Sequence, residues 1–265
     1  MTEVNTYRRS LGLFELVSLG VGGTIGSGIF VVPGVAAKLS GSWSLLAWLI
    51  VAISASCVLL SLANVSLRFT SSNSFYSLFT SVFGARVAVF LILLYLISSL
   101  FGVSTIAAGI GQYITWFGLS NVLLIELAII GAFCWLNITG ISFSGMTENI
   151  LTTLKIIPLV LIAILFIPYI NTDNFSPDSP LTVTGLLATI IIVYWPFTGF
   201  EISAIPVDET RDPALIRRSL IIVMGIVVSV YLLLNISLIG SVGAGALAAS
   251  PAPVGFGIAV PFSPP

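Results

Sequence analysis

Seven apolar runs, each long enough to cross a bilayer as a helix, follow one another along this chain with almost no charge between their ends. They fall near 13–37, 42–67, 86–117, 121–141, 147–168, 182–206 and 219–243. A membrane span needs about 20 apolar residues, and in lipid the backbone must satisfy its own hydrogen bonds, so the pattern predicts an all-α membrane bundle. Only 7% of the 265 residues are charged, against about a quarter in a soluble domain. That excludes an ordinary soluble protein and a disordered one alike. A net charge of −1 leaves nothing to attract a nucleic acid.

Catalytic chemistry is equally short of material. The chain has no histidine, and Cys57 and Cys134 lie far apart inside apolar runs, where they read as small core residues. No metal, disulfide or cofactor is expected. A hydrolytic triad has no base, the phosphate-binding glycine–lysine loop is absent, and the chain is not expected to be an enzyme.

Orientation follows from the arginines. Arg8, Arg9, Arg68, Arg86, Arg211, Arg217 and Arg218 fall at one end of the runs and Lys38 alone at the other, which predicts a cytoplasmic N-terminus and an extracytoplasmic C-terminus. The loop from Tyr169 to Leu181, with Asp173 and Asp178 and no basic residue, falls outside. No cleavage site follows Arg8 and Arg9, so the first run is retained. An N-terminus inside, and a last run without lysine, argue against a rhodopsin-like receptor.

Two runs carry helix breakers. In the first, Leu19 to Phe30, five of twelve residues are glycine, among them Gly22, Gly23, Gly26 and Gly28. Each costs a helix roughly 1 kcal/mol against alanine. A break at membrane depth is tolerated where it lines a cavity, and the new helix start offers N–H groups and a positive dipole end to a carboxylate. The same glycines could instead let a neighbouring helix approach closely. In the sixth run, Tyr194-Trp195-Pro196-Phe197-Thr198-Gly199-Phe200-Glu201 sets Pro196 and Gly199 beside an ionisable group. Breaks in runs one and six point to an inverted repeat with its site at the bilayer midplane.

Gly26-Ser27-Gly28-Ile29-Phe30, Phe197-Thr198-Gly199-Phe200-Glu201 and Glu209-Thr210-Arg211-Asp212-Pro213 together resemble the permeases of the amino acid-polyamine-organocation superfamily. Leu62-Ala63-Asn64 through Phe69, Ser72 to Tyr76 and Phe83-Gly84 add to the likeness, with Asn64-Val65 and Asn73-Ser74 standing where the superfamily usually has an acidic residue and a Gly-Gly pair. The resemblance runs from about Leu13 to Pro253. It implies a leucine-transporter-like, inverted-repeat bundle in which Ser27 and Gly28 hold a substrate carboxylate. Backbone carbonyls near Thr24, Ile25, Trp195 and Thr198 would hold its amino group, and Trp195 and Phe197 would serve as aromatic lids; both aromatics also fit a simple packing role. Glu201 is expected to face inward, either as a functional group or as a hydrogen-bond partner of unwound backbone.

Lys155 lies roughly 13 Å into the fifth run at 1.5 Å per residue. In the resembling proteins a lysine here takes the place of a sodium ion, which implies proton coupling. The alternative is a lysine that snorkels to the surface with Glu148 beside it. Glu126, near the outer end of the fourth run, is expected to be interfacial.

The expected organisation is a cytoplasmic segment 1–12, a transmembrane bundle 13–243 and a Pro/Gly/Ala-rich extracytoplasmic tail 244–265. Superfamily members commonly have twelve helices, so seven lead us to expect an incomplete second repeat in a truncated chain that does not transport by itself. Three functions follow from the resemblance. The first is proton-coupled amino acid transport across the plasma membrane. The second is a non-transporting membrane protein that completes or modulates another permease or fragment. The third is carriage of a polyamine or other cation.

Overall fold

The computed structural model of the chain describes residues 11–66, 74–138, 145–177, 179–201, 210–212 and 214–255. Arg8, Arg9, Arg68, Asn73, Asp178, Glu209, Pro213 and the tail from 256 onward lie outside the described residues, as does the side chain of Glu148. Among those described the fold is helical, with α1 Leu13–Thr24, α2 Gly28–Ser40, α3 Ser44–Ser66, α4 Ser74–Phe83, α5 Ala85–Trp116, α6 Val122–Ile138, α7 Gly145–Phe166, α8 Val183–Tyr194, α9 Ala214–Val242 and α10 Ala244–Ala249. Four stretches, Gly28–Val65, Ala85–Trp116, Thr152–Tyr169 and Ala214–Val242, are long and apolar enough to cross a membrane. Leu13–Thr24, Val122–Trp135 and Val183–Phe197 are shorter apolar helices.

Helix α9 is the centre of the bundle. Leu220, Val223, Val227, Tyr231, Leu234 and Leu238 recur at helical spacing and are all buried, packing against α1, α3 and α7. Helix α5 is its opposite: Leu93, Leu94, Leu96, Ile97, Leu100 and Phe101 are exposed. In lipid such apolar exposure carries no penalty, because acyl chains are as apolar as leucine.

Both ends of the bundle are tied. At the end with the acidic loop, Asn171 donates its backbone N–H to Gly240 O at 2.9 Å, and Asn174 donates its side-chain amide to the same carbonyl at 2.7 Å. Ser42, between α2 and α3, donates its hydroxyl to Asn174 O at 3.0 Å. Gly240 leaves no room: a Cβ there would stand 2.8 Å from the Phe175 ring and 3.1 Å from Ile170. At the arginine-bearing end, Leu11 and Thr210 form an isolated parallel bridge, and Arg211 donates its N–H to Leu11 O at 3.0 Å. Glu15 caps the start of α1 by accepting from Gly12 N at 3.0 Å.

Two features differ from the sequence reading. Helix α4, in the stretch between Arg68 and Arg86, alternates Phe and Leu with Ser and Thr and was not among the seven runs; it packs on α5. The segment after α9, expected as an extracytoplasmic tail, packs on the bundle through its described part, 244–255. Leu247, Ala252 and Val254 are buried, Gly34 of α2 meets Leu247 O and Pro253, and Gly255 meets Trp116 and Tyr113 of α5. A stretch of Pro, Gly and Ala has no charge to keep in water, and its small residues let backbone lie directly on α2.

The crowding at Gly240 gives a test. Gly240→Val should force Phe175 and Ile170 aside at about 1–3 kcal/mol, lowering the Tm of the detergent-purified protein by several degrees. Gly245→Ala, where an added Cβ meets nothing within 4 Å, should leave it unchanged.

Candidate functional site

The first break lies between Thr24 and Gly28. Ile25 donates its N–H to Val21 O at 2.8 Å, Gly26 to Thr24 O at 2.9 Å, and Phe30 to Ser27 O at 3.1 Å, so the helical register is lost over Ile25 to Ser27 and restarts at Gly28. The restart leaves the first N–H groups of α2 without intrahelical acceptors. Ser27 Oγ is buried and has no hydrogen-bond partner. Gly22 and Gly23, expected at the break, are still helical. Gly22 serves close packing instead, because a Cβ there would collide with Thr152 Oγ1 of α7; that hydroxyl donates to Ser18 O at 3.2 Å.

The second break follows α8. Trp195–Phe197 form a single 3-10 turn, and Thr198 turns extended, donating both its N–H and its hydroxyl to Trp195 O at 3.0 and 2.7 Å. Gly199 has φ +105°, a backbone region that favours glycine. A Cβ at Gly199 would strike the carbonyl of Gly23, and one at Gly28 would stand 3.1–3.3 Å from Pro196. The two breaks therefore meet backbone to backbone. Glu201 accepts from Gly199 N at 2.9 Å through one carboxylate oxygen, so it braces its own break and keeps acceptor capacity toward the cavity.

One side chain joins the two. Tyr231 of α9, fully buried, lies with its hydroxyl 3.1 Å from Thr24 O and 2.8 Å from Pro196 O, donating to the carbonyls of both breaks. Its ring packs edge-on against Trp48 of α3 and Phe197, with centroids 5.7 and 5.1 Å away. Of the two roles open to Phe197, lid and packing, its 1% exposure and its place in an aromatic cluster favour packing. Ile25 is likewise buried in the core. With Thr24 O engaged by Tyr231 and Trp195 O by Thr198, two of the four carbonyls expected to face a ligand already have donors.

Beside the breaks lies a cavity of about 670 Å³. Thr24, Ser27, Gly28, Trp195, Thr198 and Glu201 line it, as do Gly23, Gly26, Pro196 and Gly199, so most of the residues singled out from sequence share one space. Its opposite wall is α5, through Tyr95, Ser98, Ser99, Gly102, Val103 and Ile106. That wall was not anticipated. The signal was present as small and polar residues returning every three or four positions within an otherwise apolar run.

Lys155 of α7 does not line the cavity. Its Nζ donates to Gly22 O at 3.0 Å, placing the ammonium at the end of α1 just before the break. Glu126 is half-buried, and its carboxylate occupies the space a side chain at Gly111 of α5 would need.

Comparison with known proteins is consistent along the chain. A family model described as amino acid permease matches residues 11–261. The branched-chain amino acid permease BcaP of Bacillus subtilis is 27% identical over 228 residues, covering 78% of this chain and 49% of that protein. The inner membrane transport protein YbaT of Escherichia coli is 27% identical over 251 residues, covering 92% and 58%. The L-methionine/branched-chain amino acid exporter YjeH of Escherichia coli is 27% identical over 211 residues, covering 78% and 50%. The chain thus spans about half the length of the curated relatives it matches.

Tyr231→Phe keeps the aromatic cluster and removes the shared donor; Thr24 O keeps the Gly26 N–H, so the cost of about 1–3 kcal/mol falls on Pro196 O. We expect a lower Tm and faster amide exchange across residues 25–28, with α6 unaffected. Unchanged exchange there would show that the phenol does not hold the breaks.

Proposed function

The chain belongs to the amino acid permease family, and from that premise we propose that it binds amino acids at the paired helix breaks and takes part in their transport across the membrane. The observation that carries this reading is the cavity at which both breaks meet, with the start of α2 and the unpartnered Ser27 hydroxyl on its wall. An amino acid has one anionic end. The N–H groups at Gly28 and the Ser27 hydroxyl suit that carboxylate. The Glu201 carboxylate and the remaining carbonyl lone pairs around the second break suit the ammonium.

The wall formed by Val103 and Ile106 is apolar, which favours an uncharged side chain over a second cation and so an amino acid over a polyamine. Relatives named as branched-chain amino acid and methionine transporters support the same direction. In this reading Lys155 couples transport to protons, because its Nζ holds Gly22 O at the end of α1 more strongly as a charged ammonium than as a neutral amine. The protein resides in the plasma membrane, with the arginine-bearing end cytoplasmic. A complementing permease segment covers the exposed face of α5 that closes one side of the cavity.

Binding of radiolabelled leucine and of isopentylamine, its decarboxylated analogue, to the purified chain tests the site. The amine should bind about tenfold more weakly, the worth of one charge-assisted hydrogen bond. Ser27→Ala should weaken leucine binding modestly, and Gly28→Val, driven into Pro196, should abolish it. Equal binding of the two ligands would remove the carboxylate role. For coupling, with the chain assembled together with a complementing permease segment, Lys155→Ala and Lys155→Arg should both lose stimulation of uptake by an inward proton gradient, arginine because it stays protonated. Stimulation that survives Lys155→Ala would leave the lysine a structural tie.

A further inference from the structure

We propose that the groove between α3 and α9, at the arginine-bearing end of the bundle, binds an anionic phospholipid, with one acyl chain in the groove and the headgroup phosphate on Arg217 and Arg218. The groove holds about 260 Å³. Leu59 of α3 and Met224 of α9, both buried, form its floor, and Leu60 and Ile221, both exposed, form its rims, with Gly225 and Val228 continuing the α9 side. Ser56, the polar side chain on its wall, donates its hydroxyl to Ala52 O at 2.6 Å, so it asks nothing of a ligand. No lining residue is shared with the cavity at the breaks, and the proposal stands apart from the amino acid reading.

Register ties the groove to the charge. Arg217 and Arg218 lie one helical turn before Ile221, and Met224, Gly225 and Val228 follow it by one and two turns, the spacing of a single helix face. Both arginines are exposed, and among the described residues neither has a hydrogen bond or ion pair. The nearest carboxylate in sequence, that of Asp212, accepts from Ala214 N at 2.9 Å at the start of α9. From Arg217 to Val228 the helix rises about 16 Å at 1.5 Å per residue, close to half of a hydrocarbon core of about 30 Å. A phospholipid has the same layout, an anionic group at the surface and an apolar chain below it, and guanidinium groups match phosphate oxygens in pairs. The exposed leucines of α5 touch an acyl chain from one side only; a chain in the groove is touched from two, and those dispersion contacts add. An α-helix, about 10–12 Å across with its side chains, is too wide to enter a space of this size.

The test is native mass spectrometry of the full chain released from nanodiscs made of equal parts phosphatidylglycerol and phosphatidylcholine. The native chain should retain phosphatidylglycerol in preference. Arg217→Gln with Arg218→Gln should lower that preference by about fivefold for each arginine removed, whereas Arg86→Gln, at an exposed arginine on the first turn of α5, should leave it unchanged. Gly225→Trp, entering from a position where an added Cβ meets nothing within 4 Å, should fill the groove and remove the retained lipid. The arginine pair keeps the test decisive should the tryptophan variant fold poorly. Glycerol 3-phosphate, a headgroup without chains, should not displace the lipid; displacement would show that the arginines hold phosphate without the groove, and the proposal would fail. Equal retention of the two lipids, or a preference that neither the arginine pair nor Gly225→Trp alters, would overturn it. So would a native chain that appears as a dimer and becomes a monomer in Gly225→Trp, since the groove would then belong to a second copy.

Discussion

A helix that unwinds inside a bilayer releases carbonyls that no water can satisfy, and the phenol of Tyr231 lies between one from each break, Pro196 O and a Thr24 O that Gly26 N–H also serves. Everything around the cavity is arranged so that this one group can reach both. Trp48 and Phe197 hold its ring from two sides, and α9 places it from the middle of the core. Glycine at 199 lets the second break lie against the Gly23 carbonyl at the end of α1, which brings the two breaks close enough for a single hydroxyl to reach a carbonyl of each. Replacing Gly199 by a residue with a side chain would separate the acceptors before any ligand was considered.

The breaks were legible because glycine and proline act locally. Gly26, Pro196 and Gly199 carry their meaning in backbone geometry, which needs no partner to be read. Gly22 shows the limit: glycine that frees a backbone and glycine that admits a neighbour look alike in sequence, and only Thr152 of α7 distinguishes them. Lys155 was conspicuous for its cost in lipid, but its acceptor, the carbonyl of Gly22, is a tertiary fact.

Side chains that act across the bundle were hidden. Tyr231 sits in a run with no polar signal beyond Asn235 and scattered serines, and nothing in its own segment announces that it reaches two distant carbonyls. Phe197 left lid and packing roles open for the complementary reason: an aromatic beside a helix break looks available, and its burial against Trp48 and Tyr231 comes from helices far along the chain. The α5 wall needed the fold to select one face of a long apolar helix. The packing of the segment after α9 needed Gly34 to offer it a flat surface.

The bridge between Leu11 and Thr210, with Arg211 donating to Leu11 O, pins the chain just ahead of α1 to the chain just ahead of α9. Tyr231 pins the other end of α1 to the middle of α9. A rod fixed at two points along a second rod cannot pivot against it, so α1 and α9 behave as one beam. The freedom in this half of the bundle then collects at the few residues between Thr24 and Gly28, which join that beam to α2. A ligand resting on that joint, as proposed above, would touch a place where a small change of torsion is amplified along a whole helix.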